Sequence, residues 1–218
     1  MRVLWARAAR RVLRALLRAL FRMHLGGTPP VSGPYILVAN HQGWADAFAI
    51  LALFPPEPRI YFIADRAATM RSQWWKRLAL RTLGVVVPVD RDGGSERAAI
   101  EHALDLLEGG AVVAIFAEGR VSRTEAQLGP FRRGVGYLAL KAKVPVVPVW
   151  IAGTAELYLG RAITLTLGDA RHAPDLEPTR ANTTAYAATL HDDLARIARP
   201  WVEPHAGPRR WRWLTDIL

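Results

Sequence analysis

The chain has no cysteine in 218 residues, which excludes disulfides, thiolate metal sites and a thiol nucleophile. Lysine is scarce as well: only three of the 29 Lys and Arg residues are lysine. Acid is in short supply, 19 Asp and Glu against those 29 cations, leaving a formal charge of +10. Residues 1–25 contain none of that acid and seven of the arginines. Such an imbalance implies an anionic partner: phosphates of a small substrate, a lipid surface or a nucleic acid. No pair of histidines has zinc-ligand spacing joined to a set of carboxylates, so no metal is expected. His24, His102, His172, His191 and His205 fall in helical runs, element ends or loops and read as structural. Internal repeats and low-complexity stretches are absent. What is present is enough apolar material, 51% of residues, for one domain with a substantial core.

The acid-free N-terminal stretch has helical periodicity. At 100° per residue, Arg7, Arg10, Arg11, Arg14, Arg18 and Arg22 share an arc of roughly 120°. Trp5, Ala9, Val12, Leu13, Leu16, Leu17 and Leu20 lie opposite, and Phe21 falls as a misfit among the arginines. Arg10, Arg11, Arg14 and Arg18 interrupt any signal-peptide core. Four central arginines cost about 10 kcal/mol or more on the insertion scale, which about six Leu, Phe and Val residues do not recover, so the segment is not expected to span a bilayer. Two places suit it: the interface of an anionic membrane, or the protein's own core. Gly26-Gly27-Thr28-Pro29-Pro30 ends the helix, so residues 1–27 read as an amphipathic membrane-associating segment and 28–218 as one domain.

Beyond Val31 short apolar runs alternate with helical ones. Strands are expected at 35–39, Arg59–Ala64, Val85–Val89, Ala111–Phe116, Pro145–Ile151 and Ala162–Leu167. Helices are expected near 45–53, 72–83, 95–108, 133–143 and 179–199, with Ser95 as an N-cap. The alternation predicts an α/β fold: a largely parallel mixed sheet flanked by helices, preceded by the N-terminal amphipathic helix. In such sheets the site forms at the carboxyl ends of the strands.

One loop at such an end carries a possible base. Asn40-His41-Gln42-Gly43-Trp44-Ala45-Asp46 leads from the strand at 35–39 into a helix that Asp46 begins. A tight loop there can fold the Asp46 carboxylate onto one imidazole nitrogen of His41 and leave the other free to take a proton. A His-x4-Asp spacing is weak by itself, and its company is what strengthens it. Asp90-Arg91-Asp92-Gly93-Gly94 offers a guanidinium and glycines ahead of a helix, a fair phosphate site. Phe116-Ala117-Glu118-Gly119-Arg120-Val121-Ser122-Arg123 should leave the sheet on the same edge as His41. There Glu118 can orient Arg120, while Gly119 lets the backbone approach a ligand. Arg132 and Arg133 follow before the next helix. Trp74-Trp75-Lys76-Arg77 and Arg209-Arg210-Trp211-Arg212-Trp213 mix Trp with cations, a composition that suits a headgroup interface or packing against a neighbour.

Four blocks in this order, Asn40-His41-x4-Asp46, Gly84 to Asp90-Arg91, Phe116-x-Glu118-Gly119 and Val144-Pro145-Val-Val-Pro148-Val, resemble the glycerolipid acyltransferases. The group resembled is the lysophosphatidic acid (1-acylglycerol-3-phosphate) acyltransferases, over about Tyr35 to Thr154. The resemblance implies acyl transfer from acyl-CoA or acyl carrier protein to a lysophospholipid hydroxyl, most simply that of 1-acylglycerol-3-phosphate to give phosphatidic acid. It makes His41 the general base and Asp46 its orienting partner. Arg91, Glu118, Gly119 and Arg120 would shape the acceptor-phosphate site, with Arg123, Arg132 and Arg133 as neighbouring cations. No cofactor is implied beyond the thioester donor. The partners implied are an anionic membrane surface, met at its cytoplasmic face by a peripheral or monotopic protein, and no nucleic acid.

Some positions depart from the family pattern. Gly43 stands where Ser is frequent, Ala117 where Pro is common, and Arg120 and Val121 where Thr and Arg are common. The Glu-Gly-Arg-x-Ser-Arg-Thr form is closer to a branch acting on other lysophospholipids, such as lysophosphatidylethanolamine. The rivals are therefore the same transfer onto another lysolipid or aminolipid, a hydrolase using His41 and Asp46 to activate water, and a non-catalytic basic module for nucleic acid or membrane.

Overall fold

A computed structural model describes residues 2–65, 86–89, 96–122, 124–125, 127–199 and 208–216. Helix α1 (Arg2–Leu20) leads into strand β1 (Arg22–Gly26), then β2 (Tyr35–Ala39), α2 (Ala45–Leu53), β3 (Ile60–Asp65) and β4 (Val86–Val89). Helix α3 (Glu96–Glu108), β5 (Val112–Phe116), α4 (Arg133–Ala142), β6 (Pro145–Ala152), β7 (Ala162–Leu167), β8 (Arg171–His172) and α5 (Arg180–Ile197) follow, with a short 3-10 turn at Arg212–Leu214. The eight strands form one sheet in the order β1-β7-β6-β2-β5-β3-β4, with β8 paired to β6. Pairings are parallel except β6 with β7 and with β8. The predicted α/β class and the largely parallel mixed sheet are what the chain adopts.

Strand β2 is central and buried at all five residues, which is why its sequence is an unbroken apolar run rather than an alternating one. One core lies on the α1–α2 face, around Leu37, Phe48, Ile50 and Ile151. A second lies on the α3–α4–α5 face, around Ile36, Leu107, Leu138 and Leu190. Gly136 is what lets α4 and α5 come together, since a Cβ there would run into the Thr183 carbonyl.

Two short strands, β1 and β8, were not expected, and β1 changes the domain picture. It pairs with β7 from Arg22↔Ala162 to Gly26↔Thr166, so the sheet begins before residue 27 and the division at that point does not follow the packing. Its alternating exposure (Arg22, His24 and Gly26 outward) hid it among arginines that read as helical. Helix α1 likewise sits against the core: Leu17 is buried, and Ala9, Leu13 and Leu20 pack beside it. Phe21, the misfit on the helical wheel, lies just past the helix end and is buried at 3% exposure.

Two of the arginines do structural work. Arg10 donates to the carbonyls of Leu51, Phe54 and Pro56, and Arg14 to that of Ala52 at 2.6 Å. Both guanidiniums thus cover the carbonyl end of α2, where unpaired C=O groups and the helix dipole favour a cation. Burial lowers the Arg10 pKa to about 10, with Arg14 adding to the shift, and leaves it charged at neutral pH. The expected helix at 72–83, the Trp74-Trp75 stretch and the Ser95 cap lie outside the described residues.

Candidate active site

The His41 loop and the Glu118 loop leave adjacent parallel strands at the same edge, because Ala39 of β2 is in register with Phe116 of β5. They are then stitched together. Ala117 N–H donates to Ala39 O, and Ser122 N–H donates to His41 O at 2.6 Å. Glu118 is buried at 4% exposure; its Oε1 accepts from His41 N–H at 3.1 Å and its Oε2 from Gly129 N–H at 2.8 Å. Both carboxylate oxygens are therefore engaged by backbone amides, and Glu118 acts as a clamp between the two loops rather than as an orienting group for Arg120.

Asp46, fully buried in the first turn of α2, uses one oxygen three times. Oδ2 lies 2.7 Å from His41 Nδ1 and accepts Gln42 N–H at 2.7 Å and Gly43 N–H at 3.0 Å. The backbone amides and the helix start together stabilise the carboxylate. Its bond to Nδ1 fixes the imidazole tautomer and leaves Nε2 as the proton acceptor. The His41 side chain keeps 23% exposure and stacks on Phe116, ring centroids 4.2 Å apart and 14° from parallel. A ring held by Phe116 on one face and Asp46 at one nitrogen has little rotational freedom left, as a positioned general base requires.

Three supports were not singled out from the sequence. Asn40, at the end of β2, donates its Nδ2 to Ile151 O and accepts Ile151 N–H on Oδ1, so its amide imitates a peptide and carries the β2–β6 ladder one step further before the chain turns. Gln42 is buried, its Oε1 accepting from the Thr154 hydroxyl at 3.3 Å. Glu125 accepts from Gly153 N–H and pairs with the buried Arg161 at 3.0 Å, tying the loop after Gly119 to the end of β6. Asn40 opens the first motif block and Gln42 stands within its loop, but nothing in the sequence around Glu125 marked it. Gly43 also has a packing reason: a Cβ there would lie 2.5 Å from the Thr154 carbonyl oxygen. The backbone after β6 occupies the space a serine side chain would need.

The cations are arranged unevenly. Gly119 adopts φ +68, and the Arg132 side chain lies directly over it where a Cβ would be. A cavity of about 1140 Å³ opens beside this point, bounded by Phe116, Gly119, Arg132, Arg133 and, along α4, Leu138 and Lys141. Arg120 is exposed on the adjoining turn and does not line it. Of the other expected phosphate-site residues, Arg91 and Arg123 lie outside the described residues.

The family model for acyltransferases matches residues 21–152, which takes in both loops. The chain belongs to the acyltransferase family. Among curated relatives it is 31% identical over 153 residues to the chloroplastic 1-acyl-sn-glycerol-3-phosphate acyltransferase BAT2 of Brassica napus, covering 67% of this chain and 41% of that one. It is 31% identical to the human 1-acyl-sn-glycerol-3-phosphate acyltransferase alpha, covering 64% of this chain and 48% of that one. The yeast 1-acyl-sn-glycerol-3-phosphate acyltransferase is 30% identical over 57% of this chain and 40% of its own. The chain thus spans between two fifths and half of the length of these relatives. Its fold is also that of the crystal structure of PlsC, the 1-acyl-sn-glycerophosphate acyltransferase of Thermotoga maritima, with TM-score 0.67 and 20% identity, covering 91% of this chain and 81% of that one. Among the described residues, no helix of this acyltransferase-family chain is long and apolar enough to cross a membrane.

Proposed function

We propose that this chain transfers a fatty acyl group from an acyl thioester, acyl-CoA or acyl carrier protein, to the hydroxyl of 1-acylglycerol-3-phosphate at a membrane surface. The observation that carries the reaction is the His41–Asp46 pair at 2.7 Å, with Nε2 left free at the carboxyl edge of the sheet. Nε2 takes the proton of the acceptor hydroxyl as its oxygen attacks the thioester carbonyl. The tetrahedral intermediate collapses by breaking the C–S bond, and the imidazolium returns the proton to the departing thiolate. Asp46 stabilises the imidazolium while it lasts. No covalent acyl-enzyme is required, consistent with a chain that lacks cysteine.

The acceptor reading rests on the names of the relatives and on charge. Arg132 and Arg133 line the cavity with no acidic partner among the described residues, together with apolar residues that include Leu104, Ile115 and Leu138. Apolar and cationic lining together suit an anionic amphiphile. Arg120, Arg123 and Arg91 belong to the same electropositive edge in this proposal, and no metal or further cofactor enters it.

Membrane association follows from α1. Its apolar arc is wider than the core covers: Ala9, Leu13, Leu17 and Leu20 face the protein, whereas Ala8, Val12, Ala15, Leu16 and Ala19 form an adjoining exposed stripe. Val12 and Leu16 are each 58% exposed, and Arg11 and Arg18 flank the stripe. An exposed apolar stripe bordered by arginines suits an anionic lipid interface, on the cytoplasmic face where thioester donors are supplied.

The test is a panel of lysophospholipids with palmitoyl-CoA and with palmitoyl carrier protein, products followed by lipid mass spectrometry. Phosphatidic acid as the main product is expected. A diacyl product with another headgroup would move the acceptor, and free fatty acid alone would make the protein a hydrolase.

A further inference from the structure

The C-terminal residues 208–216 fold back onto the catalytic side of the molecule by contacts that no feature of the site requires. Trp44, inside the His41–Asp46 loop, donates its indole N–H to Leu214 O at 3.0 Å, and Leu214 is buried in the core. Thr215 exchanges two hydrogen bonds with the Leu157 backbone, at 2.8 and 3.0 Å. Arg209 and Arg212 both pair with Glu156, at 2.6 and 3.0 Å. This fastening turns Leu214 inward and leaves its two large aromatic neighbours outward: Trp211 is 50% and Trp213 61% exposed. Trp211 also adopts the left-handed conformation, φ 64, which a bulky residue rarely adopts.

The turn is continuous with α1. Arg210 O accepts Leu159 N–H, and Gly160 N–H donates to Leu20 O at the end of the helix. Leu159, itself 36% exposed, bridges them. Two tryptophans, Leu159 and the bare Val12–Leu16 stripe are thus linked along one hydrogen-bonded path. Exposed on these elements are arginines 7, 11, 18, 22, 209, 210 and 212, against Glu57, Glu156 and Asp216. The surplus of cations is what an anionic headgroup layer complements, and Trp beside Arg is the pairing that the interface favours.

We infer that the 208–216 turn is a second bilayer contact, with Trp211 and Trp213 entering the headgroup region of an anionic membrane while Leu214 holds the catalytic loop through Trp44. This rests on the membrane-surface reading of α1 but makes a separate claim. The helix, packed on the core, gives one line of contact about which the molecule can still roll on the surface. A second contact fastened to Trp44 keeps the His41 loop beside the lipid surface from which a lysophospholipid arrives.

The experiment measures sedimentation of the 218-residue chain with phosphatidylcholine vesicles containing phosphatidylglycerol. Four forms are compared: wild type, Trp211→Ala/Trp213→Ala, Arg210→Glu, and Val12→Ser/Leu16→Ser on α1. Thermal unfolding of each variant reports on folding, and Arg210→Glu serves as the second probe of the turn because its side chain makes no ion pair among the described residues. The proposal expects both turn variants to lose roughly fivefold or more in vesicle affinity with little change in unfolding temperature. If the α1 variant loses affinity and neither turn variant does, the turn is no bilayer contact although the membrane reading stands. If wild type does not bind the vesicles, both readings fall, and a turn that instead retains a protein partner is a protein interface.

Discussion

At the scale of single residues, Asp46 is heavily used, with one oxygen holding a side chain and two backbone amides. Asp46→Asn keeps the size but removes the charge that stabilises imidazolium and selects the tautomer. Turnover should fall about 10²-fold or more, with acceptor KM within a few-fold; steady-state kinetics against lysophospholipid concentration checks this, and a KM effect alone would point to binding instead. Gly43 offers a stability test. Gly43→Ser places a side chain against Thr154 O, and overpacking of this kind costs about 1–3 kcal/mol. A chain of this length should then unfold roughly 3–10 °C lower, measurable by calorimetry. His41, Asp46 and the Glu118-Gly119 pair were legible in the sequence because each residue type is demanded by chemistry or backbone at a fixed spacing. The role of Glu118 was not, because a carboxylate beside arginines reads as their partner. The two backbone amides it binds belong to His41 and to Gly129, eleven residues on, and become neighbours only once β2 and β5 pair.

Among the secondary elements, the N-terminal helix was expected to run to Gly26 and instead ends at Leu20, whereas the other expected strands and helices over the described residues came within a residue or two of those found, because apolar runs and helical periodicity are local properties. What escaped was set by partners. Strand β1 exists because β7 offers it an edge, and Arg10 and Arg14 face α2 because that helix ends in open carbonyls. Seven arginines in 25 residues therefore divide their labour: some cap a helix, others flank the exposed stripe. Arg10→Ala should cost about 1–2 kcal/mol of stability, read as a lower midpoint in urea. An unchanged midpoint would mean that water replaces the guanidinium at no cost. Removing residues 1–25 outright would take away α1 and most of β1, so substitutions on the Val12–Leu16 stripe are the cleaner probe of lipid contact.

Viewed whole, the molecule places His41 at the end of a central parallel strand, a partly basic cavity reached through the shared Phe116, and the exposed faces of α1 and the C-terminal turn joined through Leu159 and Gly160. Sheet class and site edge follow from the alternation of elements. The relation between the termini does not, since Trp44 and Leu214 are 170 positions apart in the chain and no spacing rule links them. The account turns on His41. The most direct test is release of thiol from palmitoyl-CoA in the presence of lysophosphatidic acid, measured for wild type and His41→Ala, with folding of the variant verified by circular dichroism. Wild type should release thiol and form phosphatidic acid, and the variant should lose about 10²–10⁴-fold or more of that rate. A folded His41→Ala protein with near-normal turnover would contradict it.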